Sequence, residues 1–213
     1  MVQVKKEHYF RKKYDDLSRF ISYFYQVDLV AVSVGDSGAK ILEVGIGNGT
    51  VSDYLKKLGF SVTTCDFDPA LKPDVVADVR KLPFPDNSFD AVMACEVLEH
   101  LPFEDFEIAI KELARVSRKS VVISLPYKST YFEVALKLPL IRTIFRRPFL
   151  DFLIRLPLPF GGIKVSGQHY WEIDLWRTPL RRVRAALRRY GRVIREVKPV
   201  LNHYHYFFVL EKN

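Results

Sequence analysis

The chain has 213 residues, of which 48% are hydrophobic, and a formal net charge of +8. That length suits one domain and that apolar content supplies an ample core. No apolar run is long enough to cross a bilayer, and the basic stretch holding Lys5, Lys6, Arg11, Lys12 and Lys13 lacks the apolar region of a secretory signal, so a cytoplasmic protein without a transmembrane segment is expected.

In chain order, Tyr14, Leu17, Ile21 and Phe24 repeat with helical period and predict an amphipathic N-terminal helix. The turn cluster at 35–38 separates it from a first strand, Lys40 to Val44. Three glycines at alternate positions follow, Gly45, Gly47 and Gly49, and then a helix to about Leu58 that Gly59 stops. Ser61 to Cys65 predicts a second strand, Asp74 to Ala77 a short third and Phe89 to Cys95 a fourth. Cys65 and Cys95 are expected at the ends of neighbouring strands as buried free thiols, too few for a disulfide framework and without the companions of a zinc site.

Phe103 to Ser117 places Phe106, Ala109, Ile110 and Leu113 on one helical face, with acids early and bases late, as the helix dipole favours. Ser120 to Leu125 is almost wholly apolar, as a strand covered on both faces should be. This alternation of strands and helices predicts an α/β fold, a Rossmann-like, doubly wound, mostly parallel sheet with helices on both faces. Residues 127–176 are apolar and basic, with prolines expected to break them into short helices, and read as an inserted helical substrate cap. Thr178-Pro179 predicts the N-cap of a helix that Gly191 closes. Arg192 to Lys198 and His205 to Glu211 predict two strands joined too briefly for a crossover helix, so the last strand runs antiparallel. The expected organisation is a single domain, 1–213, with a lid helix in 1–38, a cofactor-binding core in 39–126, the cap in 127–176 and a C-terminal helix and β-hairpin in 177–213.

The glycine-rich turn lets backbone lie against a ligand where a Cβ would collide. It has neither the G-x-G-x-x-G spacing of dinucleotide loops nor the lysine of a triphosphate loop. Glu43, on the strand before the turn, would repel a pyrophosphate but suits a ligand with an ammonium and a sulfonium group. S-adenosylmethionine fits that description. Asp66, ending the second strand, can accept from both ribose hydroxyls, and Phe67 can pack on adenine.

Glu43-Val-Gly-Ile-Gly-Asn-Gly49, Cys65-Asp-Phe-Asp-Pro69, Ala77-Asp-Val-Arg-Lys-Leu-Pro-Phe84 and Phe89-Asp-Ala-Val-Met-Ala-Cys-Glu-Val-Leu-Glu-His-Leu101 resemble, in order and spacing, the successive motifs of class I S-adenosylmethionine-dependent methyltransferases. They are most similar to the type 11 subgroup, which methylates small molecules, lipids, quinones and some RNA. The resemblance implies a seven-stranded sheet with one reversed strand, S-adenosylmethionine as cofactor and S-adenosylhomocysteine as product. It assigns cofactor contacts to Glu43, Gly45, Ile46, Gly47, Asn48, Gly49, Asp66 and Phe67, the adenine edge to Asp78 and the Val79 backbone, and the border of the sulfonium to Cys95 and Glu96. Ile46 stands where relatives often have cysteine, and Asn48 where they often have threonine or serine. No Asn-Pro-Pro-Tyr or Asp-Pro-Pro-Tyr follows the fourth strand, which argues against adenine N6 and glutamine N5 transfer.

The catalytic group is unassigned, with His100 and His169 as candidates; capping or packing would equally explain Glu99 and His100. Candidates for the acceptor are Tyr14, Tyr127, His169, Trp171 and Glu172, against a plainer reading in which Tyr170 and Trp171 fasten the cap and Glu172 pairs with an arginine. No metal ligands are assigned. The leading expectation is direct methyl displacement onto a small or lipid-like acceptor. The arginines between Arg177 and Arg195 read first as a solvated helix face. The alternatives are an RNA methyltransferase using that helix, and a non-catalytic adaptor or peripheral membrane protein docking through 131–160.

Overall fold

A computed structural model describes residues 6–35, 38–146, 149–156, 167–174 and 177–212. Strand β1 (Lys40–Val44) sets the centre: Leu42 and Val44 point into one apolar cluster and Ile41 into another on the opposite face, all three with almost no solvent exposure. A strand buried on both faces must have helices above and below it. The short α1 (Lys6–Phe10) is followed by α2 (Leu17–Val34), which packs on one face together with α3 (Thr50–Lys57). On the other face lie α4 (Phe103–Val116), bringing Phe106, Ile110 and Leu113, and α6 (Leu180–Leu187), bringing Val183 and Leu187.

Besides β1 the sheet contains β2 (Ser61–Asp66), β3 (Val75–Val76), β4 (Phe89–Cys95), β5 (Ser117–Pro126), β8 (Arg192–Val197) and β9 (His205–Glu211). Their order is β3-β2-β1-β4-β5-β9-β8. Pairing is parallel from β3 to β5, and β9 runs antiparallel to both β5 and β8. The expected seven-stranded sheet with one reversed strand is therefore present. Val44 pairs with Cys65 on one side and Ala94 on the other, so the carboxyl ends of β1, β2 and β4 open at one level. Strand order reverses between β1 and β4, which places a crevice there.

Several expectations need correction. Cys65 and Cys95 do not sit on neighbouring strands, because β1 runs between β2 and β4. Among the described residues the inserted segment is mainly strand instead of short helices: β6 (Thr130–Leu136) and β7 (Leu150–Leu156) pair antiparallel as a separate two-stranded sheet, with the five-residue α5 (Ile141–Phe145) between them. Tyr131, Phe132 and Val134 favour extended backbone, and cross-strand pairing decides where proline spacing does not. The parts of the cap at 147–148, 157–166 and 175–176 lie outside the described residues.

Of the apolar stripe Tyr14, Leu17, Ile21 and Phe24, Leu17 and Phe24 face outward, 70% and 64% exposed, while Tyr14 lines the crevice. The inward face of the first turns of α2 is polar, Arg19, Ser22, Tyr23 and Gln26, because it meets the crevice and the polar end of the sheet; the apolar residues that pack, Leu29, Val30 and Val34, come later. The helix α6 is N-capped by Pro179 rather than Thr178. Thr178 is buried, and its N–H donates to Asp174 Oδ1 at 3.0 Å.

Candidate active site

The crevice is a cavity of about 920 Å³, part of it open to solvent, a size that accommodates a nucleoside with a side arm. Its floor is the turn after β1. Gly45, Gly47 and Gly49 all have positive φ, at 84°, 56° and 79°, and a Cβ built on Gly45 would overlap Val97 Cγ2. Backbone is thus bare where side chains would narrow the cavity. Two carboxyls face it. Glu43 is 4% exposed, and burial pushes its pKa up to about 8 despite contacts from Ser52 and Lys56. Asp66 accepts from the N–H of Ile46 at 3.0 Å and of Asp68 at 2.9 Å, so it ties the ends of β1 and β2 together. Burial raises Asp66, while those N–H groups pull it back.

Of the residues assigned from sequence to the cofactor, Glu43, Gly45, Ile46, Gly47, Asn48, Asp66, Phe67, Val79, Cys95 and Glu96 line this cavity. Gly49 N-caps α3 with its backbone. Asp78 turns to Arg80, which it meets at 2.6 Å, and that pairing holds its carboxyl below the usual range. Tyr14 joins the lining, as do Tyr9, Arg19, Tyr23 and Gln26, which the sequence reading did not single out. Asp15 anchors this cover: it accepts from Asn48 Nδ2 at 3.0 Å and from the Tyr23 hydroxyl at 2.8 Å. The available signal was the recurrence of tyrosine at 9, 14 and 23, obscured by the apolar stripe beside it.

A second cluster adjoins the cavity at its β4 end. Glu96 has a left-handed backbone, φ 55°, which a non-glycine residue adopts at some energetic cost, and it accepts from Ser124 Oγ at 2.9 Å. Glu99 and His100 lie on a single 3-10 turn, Leu98–His100. Neither caps α4, whose N-cap is Pro102 without a side-chain bond. Tyr170 N–H donates to the Glu99 carbonyl at 2.8 Å and brings His169 over that turn, with the two imidazole centroids 5.0 Å apart. His169 Nδ1 meets Glu172 Oε1 at 2.8 Å, and the Tyr204 hydroxyl donates to the same oxygen at 2.9 Å, so Glu172 pairs with both groups. Burial lowers His100 and keeps it neutral near pH 7. Burial and the Glu96 charge beside it push Glu99 well above the usual carboxylate range.

Two remaining acceptor candidates are core residues. Tyr127 is 8% exposed and its N–H donates to the Tyr204 carbonyl at 2.6 Å. Trp171 stacks edge-on against Phe103 and Phe106 and donates from Nε1 to the Leu101 carbonyl at 3.0 Å.

Comparison with known proteins accords with this geometry. Residues 42–125 match the methyltransferase domain family, and residues 2–81 match the family of the tellurite resistance protein TehB. The segment 42–125 is thus similar to a methyltransferase domain. The chain is 36% identical over 92 residues to a ubiquinone biosynthesis O-methyltransferase of Xanthomonas campestris, covering 36% of this chain and 38% of that protein. It is 30% identical over 138 residues to a demethylmenaquinone methyltransferase of Corynebacterium glutamicum, covering 61% and 55%. The chain thus spans 38% to 55% of the length of these curated relatives. Its fold is shared with a protein of Pyrococcus horikoshii, TM-score 0.63 at 18% identity over 99% of this chain and 100% of that chain. The magnesium protoporphyrin IX methyltransferase of Synechocystis with bound S-adenosylmethionine gives 0.61 at 14% identity over 98% and 90%.

Proposed function

We propose that this chain transfers the methyl group of S-adenosylmethionine to a small or lipid-like acceptor. The observation that carries the reading is the glycine turn set between two buried carboxyls, a floor free of side chains with an acidic group at two separate points. Bound there, S-adenosylmethionine supplies an electrophilic methyl group on a sulfonium. Glu43, with the backbone of Gly45 and Gly47, would take the ammonium end. Asp66, each of whose oxygens accepts one backbone N–H and has capacity for another bond, would take the ribose hydroxyls. Phe67 and Val79 would border the adenine, while Asp78 acts through its pairing with Arg80. Tyr9, Tyr14 and Tyr23 close the opposite wall and exclude water.

The acceptor side lies toward Glu96 and His100, where the acid and imidazole cluster opens on the cavity. A hydroxyl acceptor must lose a proton as its oxygen is methylated, and we assign its relay to His100, which lines the cavity, with His169 beside it. The names of the curated relatives support an acceptor of quinone type, and that of the ubiquinone biosynthesis O-methyltransferase supports transfer to a hydroxyl. We read the protein as cytoplasmic; no described helix is long and apolar enough to cross a membrane. The test is mass-spectrometric detection of methyl transfer to short-chain catechols and quinols, with a structured RNA in parallel. Turnover on the aromatic hydroxyls is expected, and methylation of RNA alone would overturn the reading.

A further inference from the structure

We propose that Asp15 is a positioning residue of the cavity: it clasps residues 6–16 onto the glycine turn, and release of that clasp admits and frees the cofactor. Tyr14 N–H donates to the Arg11 carbonyl at 3.0 Å and Lys13 is left-handed, φ 74°, so the chain turns sharply between α1 and α2. His8, Tyr9 and Tyr14 pack edge-on with ring centroids 5.3 to 5.6 Å apart, and the Tyr9 ring stands 3.7 Å from where a Cβ on Gly47 would lie. Asp15 fastens this aromatic unit to the next residue of the turn. Asn48 Nδ2 donates to Oδ1 at 3.0 Å and to Oδ2 at 3.1 Å, and the Tyr23 hydroxyl donates to Oδ1 at 2.8 Å. Asn48 is oriented for this, since its Oδ1 accepts from the Thr50 N–H at 3.2 Å and leaves the amide nitrogen facing Asp15.

Floor and wall of the cavity are thereby joined at Gly47 and Asn48, because Tyr9 and Tyr14 line the same space as Glu43 and Asp66. A ligand held between them is shut from water on this side, and its exchange requires residues 6–16 to swing away. The joint is weak enough to open. Asp15 is exposed, and a hydrogen bond within reach of water contributes little to stability. Lys13 marks the hinge, since a lysine held in left-handed backbone carries a cost that opening relieves. The aromatic unit moves with it as one body. The clasp stands on its own contacts, while its role in exchange rests on the cofactor reading.

The test follows two rates on the full-length protein. One is tryptic cleavage after the exposed Arg11, Lys12 and Lys13 in the absence of ligand, which reports opening of the strap. The other is escape of radiolabelled S-adenosylmethionine during a chase with unlabelled cofactor. Asn48→Asp sets two carboxylates face to face and should raise both rates about tenfold. Adding Asp15→Asn restores an amide and a carboxylate and should return both to within about threefold of the wild type. Should Asn48→Asp fail to fold, Asp15→Ala carries the same expectation, with its thermal midpoint almost unchanged because the opening is local. Cleavage as slow as in the wild type in both single variants, or no rescue in the double variant, would overturn the clasp. Faster cleavage beside an unchanged rate of escape would overturn its role in exchange. Faster cleavage with no S-adenosylmethionine bound by the wild type would leave the clasp standing and overturn the cofactor reading.

Discussion

Glu43 and Gly45 carry the sharpest consequences for single residues. With its pKa raised to about 8 by burial, Glu43 is largely protonated at neutral pH in the free protein. Relative to an unfolded carboxyl near 4.5, a raised value favours the neutral form, so the folded state loses stability as pH climbs from 4.5 to 8 and pays no such cost below that window. The loss is on the order of 3 kcal/mol at pH 7. Thermal unfolding should therefore show Glu43→Gln raising Tm by several degrees at pH 8 and hardly at pH 4.5. A cationic ammonium reverses the preference, so wild-type affinity for S-adenosylmethionine should rise between pH 6 and 7.5, at most about tenfold per pH unit. Calorimetric titration should find Glu43→Gln weaker and flat across that range. At Gly45 a methyl group meets Val97 and φ is 84°, so Gly45→Ala should cost about 1–3 kcal/mol by denaturant unfolding and remove cofactor binding.

At the scale of elements, the segment from Gly167 to Asp174 matters because it carries His169 onto His100, which lines the cavity. Trp171 fastens it on α4 by ring packing and one buried hydrogen bond to Leu101. Trp171→Phe leaves that carbonyl without its donor and should cost about 1–3 kcal/mol in chemical denaturation, with turnover falling more than cofactor affinity. The strands and helices of the Rossmann-like half were legible because each has its own period and its own stop: β5 is almost wholly apolar from Ser120 to Leu125, and α4 has an apolar face and ordered charges. The cap was not, since proline spacing says where a helix cannot continue but not that Phe132 will pair across to Ile154. Likewise the inward face of α2 is polar because it meets a ligand cavity, so hydrophobic periodicity pointed to its opposite side. The cofactor half of the site could be read from local motifs. The link from Glu99 through His169 to Glu172 joins positions some 70 residues apart, and only the tertiary structure brings them together.

Across the whole molecule, the charge of +8 invites an anionic partner, yet many of the C-terminal arginines are engaged within the fold. Arg184 meets Glu196 at 2.7 Å, Arg189 meets Glu107 at 2.7 Å, Arg192 meets Glu211 at 2.5 Å, and Arg182 lies over the Phe103 ring. Such pairing shortens any phosphate track. Fluorescence anisotropy with a short RNA hairpin should give at most weak binding that is gone by about 0.2 M salt. The central claim, that the crevice between β1, β2 and β4 holds S-adenosylmethionine through Asp66, is tested most directly by isothermal titration of the cofactor into wild type and Asp66→Ala. Micromolar binding by the wild type, about −8 kcal/mol, with at least a 30-fold loss in the variant, is the predicted result. Equal affinity in the two proteins, or no binding by the wild type, would contradict it.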